Sequence, residues 1–194
     1  VEELTKEFYK ELFAWYERAV ASPDVIFPCE TAKPKEGESE AVFRARVKSE
    51  QVIRLITRLL FVWFIKQKNL VPNELFDPSC LESILKAFDS KNGDSYYRAI
   101  LQNLFFATLN SEIDCRDFAA DGSLDENREH FDIKTLYRYS DDFAISKEEV
   151  LALFRSIPFL NGGLFECLDR GRNYFDGFSR NRDKVAHVPN AFFF

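Results

Sequence analysis

Apolar residues recur at helical spacing along most of this chain. The first such pattern is made by residues that mostly stand three or four positions apart: Leu4, Phe8, Leu12, Trp15, Tyr16 and Ala19. This spacing places them on one face of a helix. Proline disfavours a helical conformation in the residue before it, so we expect this amphipathic helix to end near Ser22 and Pro23.

The most apolar helix is predicted from about residue 49 to residue 68. Nearly every position between Val52 and Ile65 is apolar, and the polar exceptions lie on one face. This pattern predicts a helix that is buried on most sides, with residues 59–65 as the core around which the domain assembles. That run is only seven residues long, whereas a bilayer span needs about 20. We therefore expect no membrane segment, and we expect the helix to stop at Asn69.

Three further helices are predicted from their starting residues. The segment 79–82 has the serine and glutamate spacing of a capping box, which predicts a short helix over residues 79–88. Apolar residues at helical spacing follow an Asp-Ser pair and predict a helix over residues 94–110. A second capping box over residues 146–149 precedes another apolar face and predicts the last helix.

After Ile157 the helical period is lost. Asparagine and two glycines at 161–163 predict a tight turn in which the glycine backbone has access to positive φ. Residues 185–190 alternate weakly, which predicts a short strand or hairpin. The fold class is therefore mainly α, a compact multi-helix domain built around the buried central helix. We expect a helical domain over residues 1–156 and an irregular, turn-rich segment over residues 157–194.

The overall charge is ordinary for a globular protein. The chain has 26 basic and 32 acidic residues and a net charge of −6, which argues against a surface built entirely for nucleic acid. Four cysteines at positions 29, 80, 115 and 167 are too far apart for a zinc motif, and there are only two histidines. The acidic start does not resemble a signal peptide. We therefore predict a cytoplasmic protein with reduced thiols.

Local basic clusters are the candidate contacts with DNA, because phosphate binding needs a basic patch and not a basic total. The candidate DNA-binding residues are Arg54, Arg58, Arg170, Arg172, Arg180, Arg182 and Lys184. Aromatic side chains are interleaved among the last five, an arrangement that suits phosphate and base contacts. The alternative interpretation is that Arg54 and Arg58 pair internally with carboxylates and that the later cluster is a solvated surface.

Catalytic motifs are absent from the sequence. There is no G-x-G cofactor turn, no pair of adjacent prolines, no P-loop and no HExxH. A metal-dependent nuclease needs an acidic residue followed by Glu-x-Lys. Asp24 with Glu30 and Lys33 approaches this pattern, but the spacing from glutamate to lysine is three instead of two. The segment 132–134 has the local spacing with aspartate in place of glutamate.

Three segments together suggest a family. Residues 54–77, 96–110 and 157–166 resemble, in order and spacing, the region before the methyltransferase domain of large type II restriction-modification polypeptides of types IIG and IIS. Phage-exclusion adenine-specific DNA methyltransferases look similar there, and residues 8–20 also fit. The resemblance spans most of the chain.

The resemblance implies a bacterial, cytoplasmic enzyme that methylates adenine in DNA with S-adenosylmethionine. In restriction-competent members it also implies DNA cleavage with Mg²⁺. The cofactor loop and a convincing nuclease motif are missing here, so no catalytic, cofactor-binding or metal-binding residue is transferred to this chain. The apolar end and the lack of methionine lead us to expect an excerpt of a longer polypeptide, with DNA and a downstream methyltransferase domain as its partners.

The hypothesis from the sequence is a non-catalytic helical connector or DNA-facing platform. The first alternative is a divergent Mg²⁺-dependent nuclease domain that uses carboxylates near Asp24 and Glu30. The second alternative is a helical protein-interaction module that makes no contact with DNA and whose apolar ends dock onto a neighbouring domain.

Overall fold

The protein is mainly helical, as the apolar spacing predicts. The computed structural model describes residues 2–28, 33–120, 133–170 and 174–194, and no named strand occurs among these residues. Its helices are α1 (Glu2–Ala21), α2 (Glu40–Gln67), α3 (Pro78–Ile84), a π-helix (Tyr96–Leu109) and α4 (Lys147–Phe154). Short 3₁₀ turns and loops connect them. In the described part of the chain, no helix combines the length and apolar character needed to cross a membrane.

Helix α2 begins and ends at recognisable local signals. The Ser39 side chain accepts a hydrogen bond of 3.3 Å from the Val42 N–H, which caps the helix start. Asn69 adopts a left-handed conformation with φ 56° just beyond the last turn. The N–H groups of Asn69 and Leu70 then donate to the carbonyl groups of Lys66 and Ile65. This pattern of a Schellman motif closes the helix, and the predicted stop at Asn69 is confirmed.

Helix α2 is amphipathic, and the prediction that it is buried on most sides was wrong. One face buries Val52, Leu55, Val62 and Ile65. The run that was predicted to form the core also carries exposed side chains, among them Trp63, which is 60% exposed. Apolar residues on α2 therefore extend beyond the stripe that the rest of the domain covers.

The π-helix forms the true centre of the fold, because every one of its residues except Arg98 is buried. Polar side chains on this helix bond to neighbouring segments. Gln102 donates to the Asp176 carbonyl at 2.9 Å, and the Asn103 side chain exchanges two hydrogen bonds with the Arg138 backbone, each 2.9 Å. Buried amide groups need such partners. These bonds fix the irregular segments onto the helix.

The helix starts were predicted with mixed success. The Ser146 capping box is confirmed, because Glu149 N–H donates to Ser146 Oγ at 3.2 Å and the Glu149 carboxylate accepts from the Ser146 N–H at 2.8 Å. The box predicted at Ser79 and Glu82 was wrong. Helix α3 is capped instead by Asp77, whose carboxylate accepts from the Ser79 N–H at 2.8 Å. The helix then ends at Ile84, before the predicted residue 88.

The C-terminal segment is irregular, as predicted, but its details differ. Gly162 has φ −155° and neither it nor Gly163 has positive φ, so that part of the prediction was wrong. Instead of a strand, an isolated antiparallel bridge joins Ile26 and His187 with two N–H···O bonds of 2.8 Å. The division predicted at residue 156 stays a prediction, and residues on both sides of it share one hydrophobic cluster.

Candidate nucleic-acid interface

A cleft of about 510 Å³ lies between the start of the π-helix, the turn at residues 139–142 and the C-terminal segment. Its lining residues are Arg98, Tyr139, Ser140, Asp141, Asp142, Ser179, Arg180, Arg182, Val185 and His187. The cleft therefore carries both basic and acidic side chains. The basic side chains of such a surface are candidate contacts for phosphate groups.

One wall of the cleft is a chain of ion pairs. His187 Nδ1 contacts Asp94 Oδ2, and Arg98 donates to Asp94 Oδ1 at 3.1 Å and to Asp142 Oδ2 at 2.7 Å. Burial works to raise the pKa of the Asp94 carboxyl, but the hydrogen bond with His187 and the charge of Arg98 outweigh it, so that this pKa is lowered. The Arg98 charge is thus matched by two carboxylates, which makes this wall a structural element.

Tyr139 is a lining residue of the cleft whose hydroxyl is bonded to the C-terminal segment. It adopts a left-handed conformation with φ 63° at the start of the turn Ser140–Asp142. Its hydroxyl donates to the Gly177 carbonyl at 3.3 Å and accepts from the Ser179 N–H at 3.1 Å. Burial raises the pKa of the Tyr139 hydroxyl, so it stays protonated as a donor. These bonds position the backbone that leads into Arg180.

The structure brings two of the predicted DNA-binding residues together at this cleft, Arg180 and Arg182. Lys184 follows in the same 3₁₀ turn as Arg182. That turn is fixed by the Asn181 side chain, which accepts from the Asp183 N–H at 3.0 Å. Arg182 is exposed, whereas Arg180 and Lys184 are half-buried. Whether these three residues contact DNA stays a prediction.

Two of the other predicted cations, Arg54 and Arg170, do not line this cleft. Arg170 is exposed and pairs with Glu166 at 2.9 Å. Arg54 is half-buried on α2 and is not among the residues that line the cleft. Arg172 lies outside the described residues. The structure therefore does not bring Arg54 and Arg170 to the cleft.

The interpretation of Arg58 as a surface cation is corrected by the structure. Its side chain is only 2% exposed, and its guanidinium donates to Asp176 Oδ1 at 2.8 Å. It also donates to the carbonyl groups of Leu164 and Glu166, and it lies 4.8 Å from the centre of the Phe106 ring. The alternative interpretation, internal pairing with a carboxylate, is confirmed for this residue.

Cys167, Asp169 and Asp176 are the one group of described residues whose spacing could hold a metal ion, with ligand atoms within 4.8 Å of one another. The oxygens of Asp169 already accept backbone N–H groups from residues 175–178 at 2.6 to 3.3 Å. Asp176 accepts from Arg58 and from the Leu168 N–H. Burial raises the pKa of the Cys167 thiol well above its usual value, so it stays a poor ligand. The group does not fit a metal ion.

The nuclease alternative finds little support in the described residues. Asp24 lies exposed in a turn next to Ser22, whose hydroxyl accepts from its N–H at 3.2 Å. Lys33 is exposed outside any named strand. Glu30 and Asp132 lie outside the described residues. Among the described residues near Asp24, the strand pairing is an isolated bridge between Ile26 and His187.

Comparison with known proteins gives one relationship. No family model matches the chain, and no solved structure matches it. The chain is 27% identical over 182 residues to a protein of Methanocaldococcus jannaschii that is provisionally named a type II restriction enzyme and methyltransferase. The alignment covers 84% of this chain but only 12% of that relative. This similarity relates the chain to restriction-modification enzymes.

Proposed function

We propose that this chain is a helical region of a type II restriction-modification enzyme. This region connects other parts of the enzyme and faces DNA. The observation that carries the proposal is the similarity over 84% of this chain to only 12% of a restriction enzyme and methyltransferase. A match to so small a share of the relative supports a role for this chain as one region of a larger polypeptide. Methylation of adenine with S-adenosylmethionine, and cleavage with Mg²⁺, would then belong to other parts of a type IIG or IIS enzyme in the bacterial cytoplasm.

The DNA-facing role rests on the basic side of the cleft. Arg180 and Arg182 line the cleft, and Lys184 stands in the adjoining turn. Guanidinium groups form paired hydrogen bonds with phosphate oxygens. Because Asp141 and Asp142 line the same cleft, we expect only a few phosphate contacts and weak binding by this chain alone.

The proposal is tested by binding of the chain to a short DNA duplex, measured by fluorescence anisotropy between about 50 and about 200 mM salt. Each phosphate contact contributes about −0.9 to the slope of log K against log salt. We expect the double variant R180A/R182A to bind more weakly and to reduce the magnitude of this slope by about 2.

The matched control is R44A/R155A, which removes the same charge from exposed positions that do not line the cleft. We expect this control to change the slope by much less. Equal losses in the two variants would show that only net charge matters. No binding at the lowest salt concentration would remove DNA from the proposal and favour a helical module that contacts protein alone.

A further inference from the structure

An apolar groove runs between α1 and α2. It consists of two hollows of about 390 and about 340 Å³ that share Trp15, Leu59 and Trp63. The remaining lining residues are Phe8, Leu12, Ile56, Leu60, Val62, Lys66, Phe76, Tyr96, Phe192 and Phe193. We call this surface the α1–α2 groove. Among the described residues that line the groove, Lys66 alone is charged, which makes the groove unsuited to nucleic acid.

Large apolar side chains in and beside the groove stay in contact with solvent. Trp63 is 60% exposed, Phe8 is 46% exposed and Leu60 is 37% exposed. Phe13 and Phe64 on the same two helices are also more than half exposed. Exposed apolar side chains that line one groove, as Phe8, Leu60 and Trp63 do, mark a site of protein interaction. The proposed DNA contacts at Arg180 and Arg182 leave this surface unexplained.

We propose that the α1–α2 groove binds the apolar face of a helix from another part of the same polypeptide. The inference rests on the proposed function, because that function places the chain within a larger enzyme. The relative it matches has 88% of its length outside the alignment, since the alignment covers 12% of it. In the proposed enzyme, a corresponding length of polypeptide would supply the helix that the groove binds.

The geometry of the groove supports a helix of the same chain. A furrow between two helices accepts a third helix whose anchors recur at i, i+3, i+4 and i+7. Phe192 and Phe193 line the groove, so any residues that continue from Phe194 start at its edge. A linked segment also binds at a high effective concentration, which a separate partner lacks. These two features favour the same polypeptide over a second copy of the chain.

The test uses the two tryptophans of this chain, Trp15 and Trp63, which both line the groove. Both the 194-residue chain and the full polypeptide that contains it are labelled with 5-fluorotryptophan, and W63F assigns the Trp63 fluorine signal. A soluble gadolinium chelate then broadens signals according to their solvent exposure. We expect strong broadening of the Trp63 signal in the 194-residue chain and a several-fold smaller effect in the full polypeptide.

Two variants of the full polypeptide show whether the groove itself is covered. L60E places a charge in the groove while keeping both tryptophans, and we expect it to restore the broadening of Trp63, since a charge in an apolar contact costs free energy unless it is paired. I113E is the matched control, because Ile113 is 49% exposed and does not line the groove. We expect it to leave Trp63 protected.

Several results would overturn the inference. If Trp63 is equally exposed in both proteins, or if the polypeptide ends at Phe194, no further helix of the same polypeptide covers the groove. Loss of exposure as the concentration of the 194-residue chain rises would identify a second copy instead. Equal behaviour of L60E and I113E would place the contact elsewhere. Duplex DNA is added to the 194-residue chain as a separate measurement, so failure of DNA binding is distinguishable from failure of helix docking.

Discussion

Arg58 of helix α2 and Asp176 of the C-terminal segment form an ion pair of 2.8 Å across 118 residues of sequence, and their side chains are only 2% and 1% exposed. The same guanidinium bonds to two backbone carbonyl groups, and the same carboxylate accepts the Leu168 N–H at 2.7 Å. Both charges are therefore well supplied with partners. The pair attaches an irregular segment to the buried face of helix α2.

Removal of the Arg58 side-chain charge should destabilise the protein strongly. In R58M the Asp176 carboxylate stays buried without its cation, and a broken buried pair typically costs about 3 to 5 kcal/mol. Urea unfolding followed by circular dichroism measures this loss. The control R44M removes an arginine whose pair with Glu40 is 66% and 63% exposed. Exposed pairs contribute about 0 to 1 kcal/mol, so a similar loss in both variants would contradict the structural role of Arg58.

Among the glycines that the structure describes, Gly177 should tolerate a side chain least. Its φ is 63°, and an added Cβ would lie 2.4 Å from the Ala186 nitrogen and 2.9 Å from the Pro28 Cδ. We expect G177A to destabilise the protein by more than about 1 kcal/mol, because it combines an unfavourable conformation with a backbone clash. Thermal unfolding measures the change.

Gly162 provides the comparison for this substitution. A Cβ added there meets no atom within 4 Å, and its φ of −155° is extended backbone that any residue adopts. We expect G162A to be close to neutral or slightly stabilising, since alanine restricts the unfolded chain. If G162A were as destabilising as G177A, the assignment of the tight backbone approach to Gly177 would be wrong.

Local signals explain what the sequence could predict about the fold. The capping box at Ser146 and Glu149 and the stop at Asn69 depend on residues within one turn, so their spacing is enough. Helical spacing alone also identified α1. Near Ser79 the sequence offers two possible N-caps, Asp77 and Ser79. The helix begins after Asp77, with Pro78 as its first residue. A helix end was therefore predicted correctly where the sequence holds a single capping signal.

Long-range partners explain what the sequence could not predict. Arg58 shares a helix face with Arg54, and spacing cannot show that its carboxylate partner is Asp176, 118 residues later. In the same way, 93 residues separate the two partners of the contact between Asp94 and His187 in the cleft. The sequence found Arg180 and Arg182 because they cluster locally. It missed Arg98 and His187 because tertiary contacts alone bring them to that cleft.

The contact between Asp94 and His187 should make stability depend on acid pH. The folded-state pKa of Asp94 is lowered below its ordinary value of 3.8. The unfolded chain therefore binds the proton first on acidification, and the stabilisation is present above pH 3.8 and is lost as pH falls through the lowered folded pKa. We expect D94N to be less stable than the unchanged protein at neutral pH. On acidification, D94N should lose less further stability than the unchanged protein does.

Urea unfolding at several pH values from neutral to strongly acidic measures this dependence. Other carboxylates also contribute to the acid loss, among them Glu38, whose pKa is lowered to about 2 by its hydrogen bond with Arg46. The informative quantity is therefore the difference between D94N and the unchanged protein. D141N, which alters an exposed carboxylate of the same cleft, is the control. A D94N profile parallel to that of the unchanged protein would contradict the role assigned to Asp94.

Two serines with the same capping-box spacing should behave differently when each is replaced by alanine. Ser146 Oγ accepts the Glu149 N–H at 3.2 Å at the start of α4, and loss of such a cap typically costs about 0.5 to 2 kcal/mol. At the start of α3 the cap is Asp77, and Ser79 is exposed. We expect S146A to lower the free energy of unfolding by about 1 kcal/mol, and S79A to leave it nearly unchanged. D77A should lower the free energy of unfolding about as much as S146A does. A large decrease in S79A with none in D77A would show that Ser79 caps α3, as the sequence spacing predicted.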